Sequence, residues 1–309
     1  MSITKDIEKI ISDRKTNAEM IADQNLREVL QDTKVASLYE KCNTLKYEIA
    51  KCSFENKNTK SLIDTYNKTR LSLHAVLEEK NINISSLKPN YTCNLCNDTG
   101  IIDGKHCKCF NLLLNQKLLQ ASGINHKLPT FKNFDYSVYE AENQSKVRDI
   151  VKILQDIVNK YDKISKKMFN MLGNVGVGKT YITECFVDFA INHNLYTVYT
   201  TAQNLNNDML AYHLAPLDKK SEILEKYITC DILCIDDLGT ENILKNVTIE
   251  YLYLIINERN NNNKFTLITS NLSPKQIMDT YDERIFSRML DKEKCITVNL
   301  SGKDLRLRK

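Results

Sequence analysis

The chain has 309 residues, of which 42% are hydrophobic and 27% charged, so it is long enough for one sizeable core and a smaller companion unit. Its 43 basic and 39 acidic residues leave a formal net charge of +4, which is too mild to indicate nucleic-acid binding by itself. No stretch approaches the roughly 18 consecutive apolar residues of a membrane span, and the charged start MSITKDIEKIISDRKT argues against a signal peptide. We therefore expect a cytoplasmic protein without membrane contact.

The ten cysteines of the chain are unevenly distributed. Four crowd into CNLCNDTGIIDGKHCKC with the spacing C-x2-C-x10-C-x-C, and these are Cys93, Cys96, Cys107 and Cys109. Four thiolates can complete a tetrahedral zinc site, so we expect about one zinc ion per chain, stabilising a segment with little apolar core. His106 is a rival ligand, and two disulfides or four unliganded thiols are the alternatives. The others are predicted to be buried thiols of a reducing cytosol: Cys42, Cys52, Cys185, Cys230, Cys234 and Cys295.

Residues from about 17 to 80 are polar and charged, with apolar residues recurring at helical spacing. The pattern has two arms separated by SFENKNT and predicts a helical hairpin, whose facing positions are Leu38, Cys42, Leu45, Ile49 and Cys52, then Leu62, Tyr66, Thr69, Leu73 and Val76. Such arms can pack on each other or leave a seam for a partner protein. A helix over about 111–121 then leads towards a new domain.

From about residue 145 the pattern changes to short apolar runs alternating with helical segments. We place a helix over 147–158 and strands near 168–172, 196–201, 231–235, 265–270 and 295–299. Strands separated by helices of about ten to fifteen residues predict an α/β fold, a parallel sheet with helices on both faces. The polar run NERNNNNK is predicted to be a loop.

The stretch FNMLGNVGVGKTYI has the composition of a strand, a turn and the start of a helix. It carries the spacing G-x-x-x-x-G-K-T, whose loop comprises Gly173, Asn174, Val175, Gly176, Val177, Gly178, Lys179 and Thr180. The glycines let backbone N–H groups surround phosphate oxygens, Lys179 reaches the β and γ phosphates, and the Thr180 hydroxyl can bind Mg²⁺. The motif therefore predicts a magnesium-nucleotide site.

Carboxylates for that site follow an apolar strand in DILCIDDLGTE. Asp236 is predicted to hold Mg²⁺, usually through water, and Asp237 to polarise the water that attacks the γ-phosphate. An aspartate pair after a strand is also typical of a turn. Because the side chain of Asp237 is one methylene shorter than that of a glutamate, Glu241 is an alternative base or a residue that orients another group.

Two further motifs offer polar side chains to the same chemistry. TLITSNLS is an apolar strand ending in Asn271, whose amide could hold the attacking water, cap the helix SPKQIMDTY, or do both. YDERIFSRML places Arg284 and Arg288 four residues apart on one helix face. Such arginines commonly form surface ion pairs, but an arginine lent to a neighbouring subunit would stabilise the charge that develops at the γ-phosphate.

Together these segments resemble the DnaC/DnaI family of bacterial replicative helicase loaders, within the AAA+ ATPases. The resemblance covers most of the chain from about residue 91 and rests on YTCNLCNDTG, CKCF, FKNFDYSVY, the phosphate loop, IDDLGTE, LYLIINER, TSNLS, ERIFSRML and GKDLR. It implies that Lys179 and Thr180 are the Walker A contacts. Asp236 and Asp237 would then be the Walker B pair, and Asn271 the first sensor of the γ-phosphate.

The same resemblance implies roles for three arginines. Arg288 would be the arginine finger, with Arg284 as its near alternative. Arg306, in GKDLR, would be a second sensor that contacts the nucleotide. Because the chain stops at residue 309, we expect the helical lid that follows the sheet to be reduced.

The resemblance further implies an ATPase with ATP, Mg²⁺ and Zn²⁺ as cofactors. Its partners would be a DnaB-type replicative helicase and single-stranded DNA, in a homo-oligomer or a helicase-bound assembly. The expected organisation is a helical helicase-interaction region (1–90), a zinc segment (91–110), a helix and linker (111–144) and the AAA+ domain (145–309). Tyr212, Lys219 and Lys220 could contact DNA, although ordinary surface is the simpler interpretation.

Two other functions are kept as alternatives. One is a transposition helper ATPase of the IstB type, which shares the motor motifs but against which the zinc segment weighs. The other is an adaptor that binds nucleotide without hydrolysing it, which the aspartate at position 237 and the reduced lid leave open.

Overall fold

The computed structural model describes the backbone of residues 3–307 and, within that range, every side chain except those of residues 217–219, 221 and 222. The chain divides into two compact units. One is Lys5–Cys107, and the other contains the rest of the described chain. Within the described range, no helix is both long and apolar enough to cross a lipid bilayer.

The Lys5–Cys107 unit is built mainly from three helices, α1 (Ile3–Val29), α2 (Thr33–Phe54) and α3 (Lys60–Glu79). A short antiparallel ribbon of β1 (Ile101–Ile102) and β2 (Lys105–His106) lies near its end. The helical pattern begins earlier than the sequence indicated, because α1 starts at Ile3 and buries Ile7 and Ile11 one turn apart. α2 and α3 form a hairpin whose arms share one apolar cluster, comprising Val35, Cys42, Leu73, Val76 and Leu77.

The second unit contains a five-stranded parallel sheet with the strand order β4-β5-β6-β3-β7. The strands are β3 (Met168–Gly173), β4 (Thr197–Thr201), β5 (Ile232–Leu238), β6 (Phe265–Ser270) and β7 (Cys295–Leu300). The helices are α4 (Lys108–Ala121), α5 (Ala141–Asn159), α6 (Lys179–Asn192), α7 (Ala202–Leu214), α8 (Leu217–Thr229), α9 (Thr248–Asn261) and α10 (Pro274–Met289).

Helices cover both faces of this sheet. Successive side chains of each buried strand point to opposite sides, so that each strand contributes apolar residues to the core on both faces. In β3, Phe169 and Met171 belong to the apolar cluster that includes α5 and α6. Met168 and Leu172 belong to the cluster that includes α7, α8, α9 and α10. This arrangement confirms the α/β fold that the sequence predicts, a parallel sheet with helices on both faces. Ligands of such sheets bind at the carboxyl ends of the strands.

The helix α4 lies beside β4, at the edge of the sheet. The fully buried Asn115 amide donates to the Leu195 carbonyl at 3.2 Å, and its oxygen accepts from the Thr197 N–H at 3.1 Å. Leu118 of the same helix joins the core cluster of the sheet. These bonds pair backbone groups of the edge strand that would otherwise be left to solvent.

Two expectations about single residues or short runs are corrected by the structure. The run NERNNNNK is not a loop throughout, because α9 continues to Asn261 before the chain turns. The reason is Arg259, whose fully buried guanidinium donates to the Tyr227 and Cys230 carbonyls at 2.7 and 2.9 Å, at the end of α8. Tertiary contacts thus override the low helix propensity of asparagine. Cys52 is only half-buried, whereas the other five dispersed cysteines are buried.

Candidate functional site

The phosphate loop joins β3 to α6, and its glycines adopt conformations that other residues avoid. Gly178 is the N-cap of α6 with φ +91°, and Gly176 has φ +77°. A Cβ at Gly173, where φ is +149°, would overlap the backbone carbonyl of Leu300 in β7. Glycine is therefore required for both conformation and space. The loop leads directly into the N-terminus of α6, where backbone N–H groups favour a phosphate.

Lys179 opens α6 and is only 5% exposed. Its ammonium donates to the carbonyls of Gly173 and Asn174, both at 2.7 Å, and to Asn271 Oδ1 at 2.6 Å. Burial lowers the pKa of Lys179, while the negative charge of Asp237 opposes that shift. The structure thus brings the phosphate-loop lysine and the proposed first sensor into direct contact.

Asn271 follows β6, and the structure separates its two proposed roles. The N-cap of α10 is Ser273, whose side chain accepts from the Gln276 N–H while the Gln276 side chain accepts from the Ser273 N–H. This capping box satisfies the start of the helix without Asn271. The helix-cap interpretation of Asn271 is therefore wrong. Its side chain instead lines a cavity next to the phosphate loop, beside Lys179.

Asp236 lies near the carboxyl end of β5 and is only 2% exposed. Its Oδ2 accepts hydrogen bonds from the hydroxyls of Thr180 and Tyr199, at 2.8 and 3.0 Å. Its Oδ1 accepts from the Thr269 hydroxyl at 2.6 Å. Thr180 and Asp236 thus place two side-chain oxygen atoms next to each other, and oxygen is the ligand atom that Mg²⁺ prefers. The residues present fit the magnesium ion that the sequence predicts.

Asp237 is the next residue of β5 and lines the cavity. Its φ of +57° is left-handed, and the pairing of β5 with β6 is irregular between Ile235 and Leu238. Its backbone N–H donates to the Thr269 hydroxyl at 2.9 Å. Burial and the charge of Asp236 raise the pKa of Asp237 above its usual value. A carboxylate that is more basic than usual is better suited to accept a proton.

Glu241, the alternative base, is engaged elsewhere. Its Oε2 accepts from the Gly239 N–H at 2.9 Å, and its Oε1 accepts from the Tyr281 hydroxyl. Glu241 is buried, and it is not among the described residues that line the cavity. The geometry therefore favours the second interpretation, in which Glu241 orients its neighbours rather than a water molecule.

A cavity of about 700 Å³ adjoins the phosphate loop. Its volume is in the range of sites that hold small ligands and cofactors. The walls include Lys179, Thr180, Asp237 and Asn271, and also residues that the sequence did not single out: Asp135, Val138, Tyr139, Tyr181, Glu184 and Leu305. The first three belong to the aromatic segment FKNFDYSVY, which the sequence predicts to be a linker. Its residues follow no motif spacing that would indicate a ligand contact.

The residues after β7 pass over the phosphate loop. The Leu305 N–H donates to the Gly176 carbonyl at 2.9 Å. Arg306 lines the cavity, and its Nε donates to Asp304 Oδ1 at 3.1 Å. The second-sensor arginine implied by the resemblance therefore lies next to the nucleotide cavity of its own chain.

Arg284 and Arg288 lie in the second half of α10 and are not among the described lining residues of the cavity. Arg284 is exposed and forms ion pairs with Asp282 at 3.0 Å and with Glu250 at 3.2 Å. Arg288 is half-buried and donates to the Tyr253 hydroxyl at 2.8 Å. Arg284 thus has the ion pairs that the ordinary surface interpretation expects.

The four clustered cysteines converge on one point. The Sγ atoms of Cys93, Cys96, Cys107 and Cys109 all lie within 4.8 Å of one another. A ZnS₄ tetrahedron with bonds of about 2.3 Å has sulfurs about 3.8 Å apart. The Sγ atoms of Cys93 and Cys107 are 3.8 Å apart, and the chain's ten cysteines, all of which are described, form no disulfide. Four thiolates therefore fit zinc, and His106 is not part of the group.

The residues considered for DNA contact make local contacts of their own. The Lys220 ammonium lies 5.2 Å from the ring centroid of Tyr212, and that ring packs edge-on against Tyr251 at 5.0 Å. The side chain of Lys219 lies outside the described residues. These contacts agree with an ordinary surface.

Known proteins similar to this chain include replication initiators. Over 287 residues, 90% of the chain, it is 25% identical to the chromosomal replication initiator protein DnaA of Streptococcus thermophilus. Over 116 residues, 38% of the chain, it is 31% identical to the DnaA of Wolinella succinogenes. The chain spans 57% and 26% of the lengths of these two relatives. The structure of a DnaC helicase loader is 19% identical with a TM-score of 0.44, covering 61% of this chain and 99% of that one.

A protein-family model shows the family of the chain, which the similarity to these relatives does not. The model for IstB-like ATP binding proteins matches residues 114–309. The matched region is well over half of the chain, and it contains the sheet, the phosphate loop and all the cavity residues named above. The chain therefore belongs to the family of IstB-like ATP binding proteins.

Proposed function

We propose that this chain is an AAA+ ATPase that loads a replicative DNA helicase. The observation that carries the proposal is the convergence of Lys179, Thr180, Asp237 and Asn271 on one cavity. Asp236 accepts a hydrogen bond from Thr180 there. Family membership supports ATP as the ligand. The contiguous motifs that resemble helicase loaders support the role in replication.

In the proposed reaction, the phosphate loop and Lys179 bind the β and γ phosphates. Thr180 and Asp236 would hold Mg²⁺, which would neutralise charge on those phosphates. Asp237 accepts a proton from the attacking water, and Asn271 orients that water. The place of Asp237 in the cavity wall, together with the bonds of Glu241 to Gly239 and Tyr281, supports this assignment over Glu241.

We further propose that the active form is an assembly, either of this chain alone or with the helicase. Arg288 would reach the γ-phosphate of a neighbouring subunit, with Arg284 as the alternative. Arg306 would contact the nucleotide of its own chain, which its place at the cavity supports.

The helicase contact is proposed for residues 1–90, with a zinc ion at the cysteine cluster (91–110) as a structural element and no catalytic part. The test is capture of the DnaB-type helicase of the same host by the full chain and by the fragment 108–309. That fragment keeps α4 and all five strands of the parallel sheet, and it lacks only residues 1–4 of their unit. We expect capture by the full chain only. Equal capture by both would contradict the division of labour.

ATP turnover is the test of the enzymatic part. We expect the full chain to hydrolyse ATP in the presence of single-stranded DNA and magnesium, with Lys179→Ala as the blank. Binding of ATP without turnover above that blank would leave the non-hydrolysing adaptor as the function.

A transposition helper of the IstB type is kept as a second candidate, because the matching family model bears that name. The cysteine cluster lies outside the matched residues 114–309, which favours the helicase loader. Absence of helicase capture together with normal ATP turnover would favour the transposition helper.

A further inference from the structure

We propose that Tyr199, assisted by Thr269, is a positioning residue that fixes the magnesium-binding carboxylate and so sets the affinity of the nucleotide site for Mg²⁺. The inference rests on the proposed magnesium role of Asp236. Tyr199 lies in β4, the strand next to β5, and is 5% exposed. The sequence offered no sign of this role, since a tyrosine within a strand is normally a packing residue.

The hydrogen bonds of Asp236 leave little freedom to its carboxylate. An ionised carboxylate has about four acceptor sites, two on each oxygen. Both sites of Oδ2 are taken, by Thr180 at 2.8 Å and by Tyr199 at 3.0 Å. Thr269 takes one site of Oδ1 at 2.6 Å. About one acceptor site therefore remains, on Oδ1, for a metal ion or a metal-bound water.

Tyr199 and Thr269 hold opposite oxygens, so that together they prevent rotation of the carboxylate about the Cβ–Cγ bond. Thr269 also accepts from the Asp237 N–H at 2.9 Å, which couples this orientation to the backbone of the second aspartate. Groups that orient a metal ligand typically change metal affinity by about 10- to 100-fold when they are removed. The Tyr199 hydroxyl is placed to have an effect of this kind.

The tyrosine ring alone does not account for this residue. The ring belongs to the apolar cluster on the α5–α6 face of the sheet, where a phenylalanine would pack equally well. The hydroxyl, in contrast, must find a partner when it is buried, and its partner is Asp236. Because Asp236 is only 2% exposed, water does not readily replace the lost donor. Removal of the hydroxyl therefore leaves Oδ2 held by Thr180 alone among its described donors, and loosens the carboxylate rather than hydrating it.

The test uses the full chain with the substitution Tyr199→Phe and a fluorescent ATP analogue as probe. Magnesium is titrated at a fixed, subsaturating concentration of the analogue. We expect the half-saturating Mg²⁺ concentration to rise by about tenfold. Affinity for the analogue in excess EDTA should equal that of the unsubstituted chain, because Tyr199 is not among the described residues that line the cavity.

Tyr227→Phe is the matched control. Its hydroxyl is buried and donates to a carboxylate, Asp208 Oδ2, at 2.6 Å, but neither residue is among the described lining residues of the cavity. We expect its magnesium titration to match that of the unsubstituted chain. Thermal melting without nucleotide checks that both variants fold. If Tyr199→Phe does not fold, Thr269→Val replaces it, with the same expected direction of change.

Three results would overturn the inference. The first is an unchanged or lowered half-saturating Mg²⁺ concentration in Tyr199→Phe. The second is an equal loss of nucleotide affinity with magnesium and in EDTA, which would mean that Tyr199 only supports the loop. The third is nucleotide binding by the unsubstituted chain that does not respond to magnesium. This last result would also remove the proposed magnesium role of Asp236, so it is distinct from the other two.

Discussion

Gly173 and Gly123 both adopt positive φ, +149° and +85°, but their surroundings differ. A Cβ at Gly173 would overlap the Leu300 carbonyl, whereas a Cβ at Gly123 would meet nothing within 4 Å. We predict that Gly123→Ala lowers the free energy of unfolding by about 1–3 kcal/mol, the cost of a strained conformation. Gly173→Ala should cost clearly more, because the backbone of β7 must also move. Chemical denaturation of both variants measures this difference, and equal losses would contradict it.

A second prediction at the residue scale separates Asp237 from Glu241. Asp237→Asn keeps the size of the side chain but removes the proton acceptor, so ATP turnover should fall by about 10²- to 10⁴-fold. Binding of ATP should change little, because the phosphate loop is intact. Glu241→Gln should reduce turnover much less, since Glu241 bonds to Gly239 and Tyr281 instead of lining the cavity. Steady-state turnover and equilibrium binding are measured for both, and the reverse order of losses would make Glu241 the base.

The residues of the phosphate loop and the aspartate pair could be predicted from the sequence because each set is contiguous, so that a short spacing carries its chemistry. Tyr199, Thr269 and Tyr139 could not, because their roles arise from strands and turns that only the fold brings together. Arg259 was missed for a similar reason: it lies in a polar run, and its partners include the carbonyl groups of Tyr227 and Cys230, more than 25 residues away along the chain.

At the scale of elements, the helical hairpin offers a test of pH dependence. Asp32 is the N-cap of α2 and accepts from the Val35 N–H at 3.0 Å, and Lys80, which follows α3, contacts it at 2.6 Å. The hydrogen bond from Lys80, followed by that from Val35, lowers the pKa of Asp32. A lowered pKa means that the carboxylate stabilises the fold above its ordinary value of about 3.9 and loses this effect as the pH falls through the folded-state pKa.

We therefore predict that Asp32→Asn, which retains a good N-cap but not the charge, lowers the urea midpoint of the helical signal at neutral pH. Below the lowered folded-state pKa of Asp32, the variant and the unsubstituted chain should converge. Circular dichroism at both pH values measures the midpoints. A difference that persists in acid would show that the charge of Asp32 is not the cause.

The helix α10 carries the next prediction. Asp282, with φ +72°, interrupts the helix, and its Oδ1 accepts from the Arg284 N–H at 2.9 Å to start the second half. Arg284 has two carboxylate partners, whereas the described partners of Arg288 are neutral: the Asn257 side chain, the Arg284 carbonyl and the Tyr253 hydroxyl. An arginine without a carboxylate partner gives up less interaction energy when it leaves its present partners to bind a phosphate.

Arg288→Ala should therefore lower ATP turnover of the assembled protein by about 10³-fold or more, whereas Arg284→Ala should lower it less. Neither change should affect ATP binding by the chain itself, because both arginines lie outside the described cavity wall. Turnover is measured over a range of protein concentrations. A strong dependence on Arg284 with none on Arg288 would exchange the two roles.

Four strands were predicted to within one residue at each end, because a buried parallel strand is a short, continuous apolar run between polar segments. The strand β5 runs three residues past its predicted end and includes both aspartates. The boundaries of α1 and α9 were not predicted correctly, because the ends of these helices are set by packing and by single polar contacts. α1 is long and weakly patterned, with Ile7 and Ile11 as its first buried residues. In α9 the helix extends as far as the buried Arg259 requires. Periodicity therefore locates elements, while tertiary contacts decide where they stop.

For the whole molecule, the family assignment and the cysteine cluster concern different parts of the chain. Residues 114–309 match the family model, whereas the cluster lies at 93–109. ATP binding is thus assigned to the unit that contains the sheet. The segment around the cysteine cluster needs a source of stability other than a large apolar core. We propose that a zinc ion bound by the four cysteines would supply it, because a stretch of this size buries few apolar residues.

We predict that the purified full chain contains about one zinc ion, and that replacing Cys93 and Cys96 by serine removes it. ATP binding should be retained, because no cysteine of the cluster is among the described residues that line the cavity, whereas helicase capture should fall. Cys52→Ser is the control, since Cys52 is half-buried and outside the cluster. Metal analysis, nucleotide titration and helicase capture are measured on all three proteins. Absence of zinc from the unsubstituted chain, or loss of ATP binding together with the metal, would show that the cluster does not act as an independent structural site.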